Sequence, residues 1–175
     1  MERVGDAITG RGGALETLVE ARDAGLTRWL GITGHGVDAP AVFPRGPAAV
    51  PVRLGAVPLN FAQMGNPAYR RDAEALLARC RELDVGTIII KSITRGPWGD
   101  DDEARTTWYR PFETPADIQR AVDFVLSHEV TGICTAGDTD LLPLVLEACE
   151  RFTPMDEVTR QELIVEGARY EPLFA

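Results

Sequence analysis

Four apolar, β-branched runs, each ending in a turn and handing over to a segment of helical period, constrain this chain more than any other feature. The runs are Arg28 to Thr33 (RWLGIT), Leu54 to Leu59 (LGAVPL), Gly86 to Lys91 (GTIIIK) and Val130 to Thr135 (VTGICT). They are nearly continuous in apolar residues and do not alternate, which suits strands buried on both faces, as in parallel sheets covered by helices. Between them lie amphipathic segments. Ala14 to Ala24 places Leu15, Leu18, Val19 and Ala21 on one face and has Gly25 as its stop. Ala68 to Leu83 turns Ala73, Leu76, Leu77 and Cys80 inward and Arg70, Arg71, Glu74 and Arg81 outward. Pro115 to Ser127 has Thr114 as N-cap and Pro115 at the first helical position. A fourth helix runs from Asp138 or Thr139 to Phe152, with Pro143 in its first turn or bending it, and a last one from Asp156 to Ala168 closes the chain.

Strands alternating with helices of this length, joined by right-handed crossovers, leave an open doubly wound sheet or a closed eight-stranded barrel. Four strands cannot close a barrel, and a complete one takes about 250 residues. A chain of 175 residues with four units therefore reads as a partial (β/α)8 TIM-type barrel, about half a barrel plus a C-terminal helix, forming a single domain over residues 1–175. Two stretches break the pattern. Pro40, Pro44, Gly46, Pro47 and Pro51 oppose a regular helix between the first two strands, leaving one short turn near Ala39 to Phe43 and then an irregular loop. Ser92 to Glu113 is a long loop carrying Trp98, Trp108 and Tyr109. Such aromatics at a strand's carboxyl end serve a ligand or cover the sheet ends.

Apolar residues make up 45% of the chain, enough for one core, and no apolar run approaches the roughly 20 residues of a membrane span. The first residues, MERVGDAITGRGG, lack the layout of a signal peptide, so a soluble cytoplasmic protein is expected. A net charge of −9 argues against nucleic acid, whose phosphates call for clustered Lys and Arg. The acidic run Asp100 to Glu103 reads as a solvated loop. Three cysteines, Cys80, Cys134 and Cys149, are far apart and read as buried reduced thiols, with no metal site expected.

In parallel α/β folds the ligand lies beyond the carboxyl ends of the strands. The turns there are Thr33-Gly34-His35-Gly36, Asn60-Phe61, Lys91 to Gly96 and Ala136-Gly137-Asp138. All are small, polar or charged. Gly34 and Gly36 permit close backbone approach, and Gly137 before a helix start could present amides to a phosphate. Together these turns outline one mouth.

GALETLVEARDAGLTRWLGITGHG (Gly13 to Gly36), VPLNF (Val57 to Phe61), IIIKSITRGPWG (Ile88 to Gly99), TAGDTDLLPLVLEA (Thr135 to Ala148) and YEPLF (Tyr170 to Phe174) resemble, in order and spacing, the carboxyl-terminal half of the aldo/keto reductase superfamily. The resemblance covers nearly all of the chain from Gly12 onward and weakens over Val37 to Pro51. It implies an NAD(P)H-dependent oxidoreductase that reduces a small carbonyl substrate, with NADPH or NADH held by this half without a Rossmann fold. By position, Thr33 and Gly34 would lie near the nicotinamide amide, and Asn60 would follow the strand that supports the ring. Lys91, Ser92, Ile93, Arg95 and Gly96 resemble the segment around the pyrophosphate, and Gly137 and Asp138 the loop that takes the adenosine phosphate.

The same resemblance implies a catalytic Asp, Tyr, Lys and His from the first four strands of the barrel, the Tyr donating the proton with its pKa lowered by Lys and Asp. No residue of this chain corresponds to them, so no catalytic residue is assigned. His35 reads as loop structure or a ligand hydrogen bond, and Lys91 as a partner of a cofactor phosphate or of a nearby carboxylate. A half barrel also leaves two strand edges and its inner apolar face open. A homodimer or a separate N-terminal half would cover them, and a truncated barrel from a longer gene is the third expectation. The alternative function is a non-catalytic nucleotide-binding or interaction module derived from that family.

Overall fold

The computed structural model describes residues 13–42, 52–100 and 105–174. Most of the proline-rich connection, the acidic run beyond Asp100 and the first residues of the chain lie outside them. In chain order the elements are α1 (Ala14–Asp23), β1 (Leu30–Thr33), α2 (Ala39–Val42), β2 (Val52–Pro58), α3 (Phe61–Met64), α4 (Pro67–Glu82), β3 (Gly86–Ile90), β4 (Thr94–Gly96), β5 (Arg110–Pro111), α5 (Pro115–Leu126), β6 (Gly132–Ile133), α6 (Leu142–Glu150) and α7 (Glu157–Gly167).

Local chemistry sets the helix ends. The Thr114 hydroxyl accepts from the Asp117 amide at 3.2 Å, with Pro115 following it where a missing N–H costs nothing. Asn66 accepts from the Ala68 and Tyr69 amides ahead of α4, and Asp156 from the Thr159 amide ahead of α7. Gly25, at φ +76°, ends α1, and the Leu26 amide reaches back to the Ala21 carbonyl at 2.9 Å. Pro143 falls in the first turn of α6, whose start at Leu142 is later than expected. The reason is Asp138, whose carboxylate accepts from the Asp140 and Leu141 amides and folds the preceding residues into a turn.

Strands β1, β2, β3 and β6 form one parallel sheet in that order. Among the described residues the sheet is open, with β1 and β6 as its edges. The register places Leu54 beside Gly86, Ala56 beside Ile88 and Ile88 beside Gly132, so these residues share one face. The opposite face holds Val57 and Ile89, both fully buried under the helices. One core joins them to Tyr69, Leu76, Phe61, Phe124, Ile118 and Val122. The Tyr69 hydroxyl donates to the Pro58 carbonyl at 2.5 Å inside this core, and burial pushes its pKa far up.

Several details differ from expectation. The last strand shrinks to Gly132–Ile133, since an edge strand pairs on one side only. Helix α1 buries none of its residues, and Leu18 is 49% exposed, because the helix lies beside an open edge. Cys80 is buried as expected, but Cys134 is exposed: it follows β6 on the uncovered face. The four-residue α3 and the antiparallel β4–β5 ribbon were not foreseen. No helix among the described residues is long and apolar enough to cross a membrane.

Candidate functional site

The strand-end turns meet along the rim of the sheet. After β1, Thr33 is exposed and the Gly34 amide donates to the Ala56 carbonyl at 3.2 Å, tying this turn to β2. His35 is exposed beside it. After β2, Asn60 is buried and both ends of its amide are committed. Its Oδ1 caps α3 by accepting from the Gln63 amide at 2.7 Å, and its Nδ2 donates to the Lys91 carbonyl at 3.0 Å. Asn60 thus fixes the rim between β2 and β3.

Lys91 adopts φ +62°, a left-handed conformation that non-glycine residues enter only when their surroundings require it. Its carbonyl accepts from the Thr94 amide as well as from Asn60. The ammonium lies over the rings of Trp108, at 4.7 Å, and Tyr109, at 4.9 Å. Among the described residues it makes no ion pair. Desolvation lowers its pKa, against a smaller opposite pull from Cys134. Trp108 is exposed and Tyr109 buried, so the aromatic loop forms a wall with one open side. Burial pushes the Tyr109 hydroxyl up to about 12.

Ser92 and Ile93 turn inward. Ile93 is a core residue, and its carbonyl accepts from the Phe112 amide at 2.8 Å. Among the described residues the Ser92 hydroxyl is buried without a hydrogen-bond partner, an exception to the usual pairing of buried polar atoms. Gly96 is needed for space: a Cβ there would lie 2.7 Å from the Glu171 carbonyl oxygen of the C-terminal segment. Arg95 does not join the rim. Its guanidinium rests over the Tyr170 ring at 5.9 Å, in a groove whose walls hold no other predicted contact residue.

After β6, Gly137 is exposed, and a Cβ on it would meet nothing within 4 Å. Asp138 is buried, and its carboxylate also accepts from the Thr106 hydroxyl at 3.0 Å and from Arg105 at 3.4 Å. Burial works against the carboxylate, but these donors and the Leu141 and Asp140 amides outweigh it and hold its pKa below the usual range. Asp138 therefore stays ionised, its carboxylate held by these donors. Arg105 also reaches Glu113 at 3.4 Å and so straps the aromatic loop to the last turn. Sequence reasoning missed Arg105, Thr106 and the exposed Cys134. Only the last left a signal: alternation from Gly132 puts Cys134 on the inner face.

The Lys91 cation and the exposed Gly137 fit a polar, anionic group. Thr33 is exposed, whereas Asn60, Ser92, Ile93, Gly96 and Asp138 are buried.

No family model and no curated protein matches the sequence. Solved structures do. The chain is similar to aldo-keto reductase AKR11C1 from Bacillus halodurans in its holo form, with 17% identity, 90% of this chain covered and a TM-score of 0.61. It is similar to the apo form of the same protein with the same identity and coverage and a TM-score of 0.59. In both cases the chain spans 56% of the matched structure's length. This chain therefore carries a part of the aldo-keto reductase fold, with a four-stranded parallel sheet that is not closed.

Proposed function

We propose that this chain is the cofactor-binding part of an aldo/keto reductase-type, NAD(P)H-dependent oxidoreductase. The observation that carries the reading is the rim itself. The Lys91 ammonium, which makes no ion pair among the described residues, and the exposed Gly137 stand at the ends of adjacent strands β3 and β6, where a parallel α/β sheet receives its ligand. A bound nicotinamide nucleotide would supply a hydride for carbonyl reduction. Lys91 and the Gly137 backbone would hold its phosphates, Thr33 and Gly34 its nicotinamide end. Asn60 would position Lys91 through its carbonyl, and Asp138 would keep the last turn folded. The catalytic Asp, Tyr, Lys and His would come from the other half of a completed barrel, supplied by a separate N-terminal half. A homodimer is the other way to cover the sheet.

A non-catalytic nucleotide-binding or interaction module is the second reading, in which the rim binds a nucleotide with no catalytic Asp, Tyr, Lys and His supplied to it. Amide chemical-shift mapping of the chain with NADPH tests the shared claim. Shifts centred on Thr33, Gly34, Lys91, Ser92 and Gly137 are expected. Saturating shifts confined to other surfaces would overturn it.

A further inference from the structure

We infer that the groove between the β4–β5 ribbon and the first turn of α5 is a second binding site, for a small oxyanion carried on an aromatic or aliphatic body. The groove has a volume of about 420 Å³, within the range of small-molecule sites. Arg95 and Arg110 line it, with Phe112 and Tyr170 as apolar walls. Those walls are rigid. Phe112 stands edge-on to Tyr170 at 5.6 Å and stacks on Phe61 at 5.1 Å, inside the core. The ribbon is held by Gly96, which presses against the segment carrying Tyr170.

Charge placement points to an anion. Arg95 holds no ion pair among the described residues and rests over Tyr170. Two carboxylates do line the groove, yet both are engaged elsewhere. Glu113 lies 3.4 Å from the Arg105 Nε. Asp117 accepts from the Thr114 hydroxyl at 2.7 Å and pairs with Arg120 at 3.7 Å. Arg95 lines the groove with its guanidinium over the Tyr170 ring at 5.9 Å, and a guanidinium suits bidentate contact with a carboxylate or phosphate. The apolar walls then take the body of the ligand. This site does not depend on the nucleotide reading, since Lys91, Asn60 and Gly137 are not among its walls.

Calorimetric titration of the full chain with phenyl phosphate tests it. Saturable binding is expected, unchanged by saturating NADPH and by Lys91→Met. It should weaken about tenfold or more in Arg95→Gln, the scale of a lost charge-assisted hydrogen bond. Arg95→Lys, which keeps the stem over Tyr170 and the charge, should retain part of the affinity and shows that a loss in Arg95→Gln is not misfolding. Equal affinity in Arg95→Gln and the parent would overturn the site. So would displacement of phenyl phosphate by NADPH, or loss on Lys91→Met, either of which assigns the anion to the rim.

Discussion

Gly137 and Asn60 separate what the rim offers from what holds it. Because a Cβ at Gly137 would meet nothing within 4 Å, Gly137→Val should cost the fold little. It would stand where a phosphate approaches the backbone. The expected outcome is an unchanged melting temperature with nucleotide affinity reduced about tenfold or more, by fluorescence titration against the parent. Equal affinity would remove Gly137 from the site. Asn60→Ala should behave in the opposite way. It removes the cap of α3 and the tie to the Lys91 carbonyl, and should destabilise the chain by about 1–3 kcal/mol in urea unfolding. Lys91 would then lose part of what holds it in the left-handed region.

At the scale of elements, α3 and α7 are pressed together through glycines. A Cβ at Gly167 would lie 2.0 Å from the Phe61 carbonyl oxygen, a backbone atom that cannot move without moving α3. Gly167→Ala should therefore cost about 3 kcal/mol or more, read by chemical denaturation, and a loss below about 1 kcal/mol would contradict this packing. The end of α5 carries a pH dependence. His128 donates from Nδ1–H to the Phe124 carbonyl at 2.8 Å, and its pKa is lowered, first by burial and then by Arg160 of α7. The Phe124 and Val125 backbone and Glu74 of α4 pull the other way without prevailing. The unfolded chain then takes up a proton near pH 6.5 that the folded one refuses, so stability is present above that pH and is lost as the pH falls. The melting temperature should fall between pH 7 and about pH 5.5, and His128→Gln should flatten that decline. The elements also show what was readable in the sequence. Thr114-Pro115 and Gly25 marked helix ends because caps are local chemistry, and the four strands were legible because burial on a covered face demands continuous apolar runs. The β4–β5 ribbon was not, since Thr94 to Gly96 and Arg110–Pro111 are too short and polar to have a period. Nor was the fate of Arg95: its place beside Tyr170 depends on a contact across the chain, and sequence neighbours alone grouped it with Lys91.

For the whole molecule, the open sheet sets the terms. Leu54 is 38% exposed on the inner face, which Ile88 shares, and among the described residues β1 and β6 present unpaired edges. Parallel sheets are ordinarily covered on both sides, and among the described residues this face is not. The proposed nucleotide rim lies along the same sheet, so under the proposal cofactor binding depends on how the sheet is closed. The most direct measurement is a fluorescence titration of the purified chain with NADPH and NADH while its mass in solution is followed by light scattering. Saturable binding of either nucleotide by a folded species of defined mass is the expected result. A folded chain of defined mass that binds neither would contradict the account.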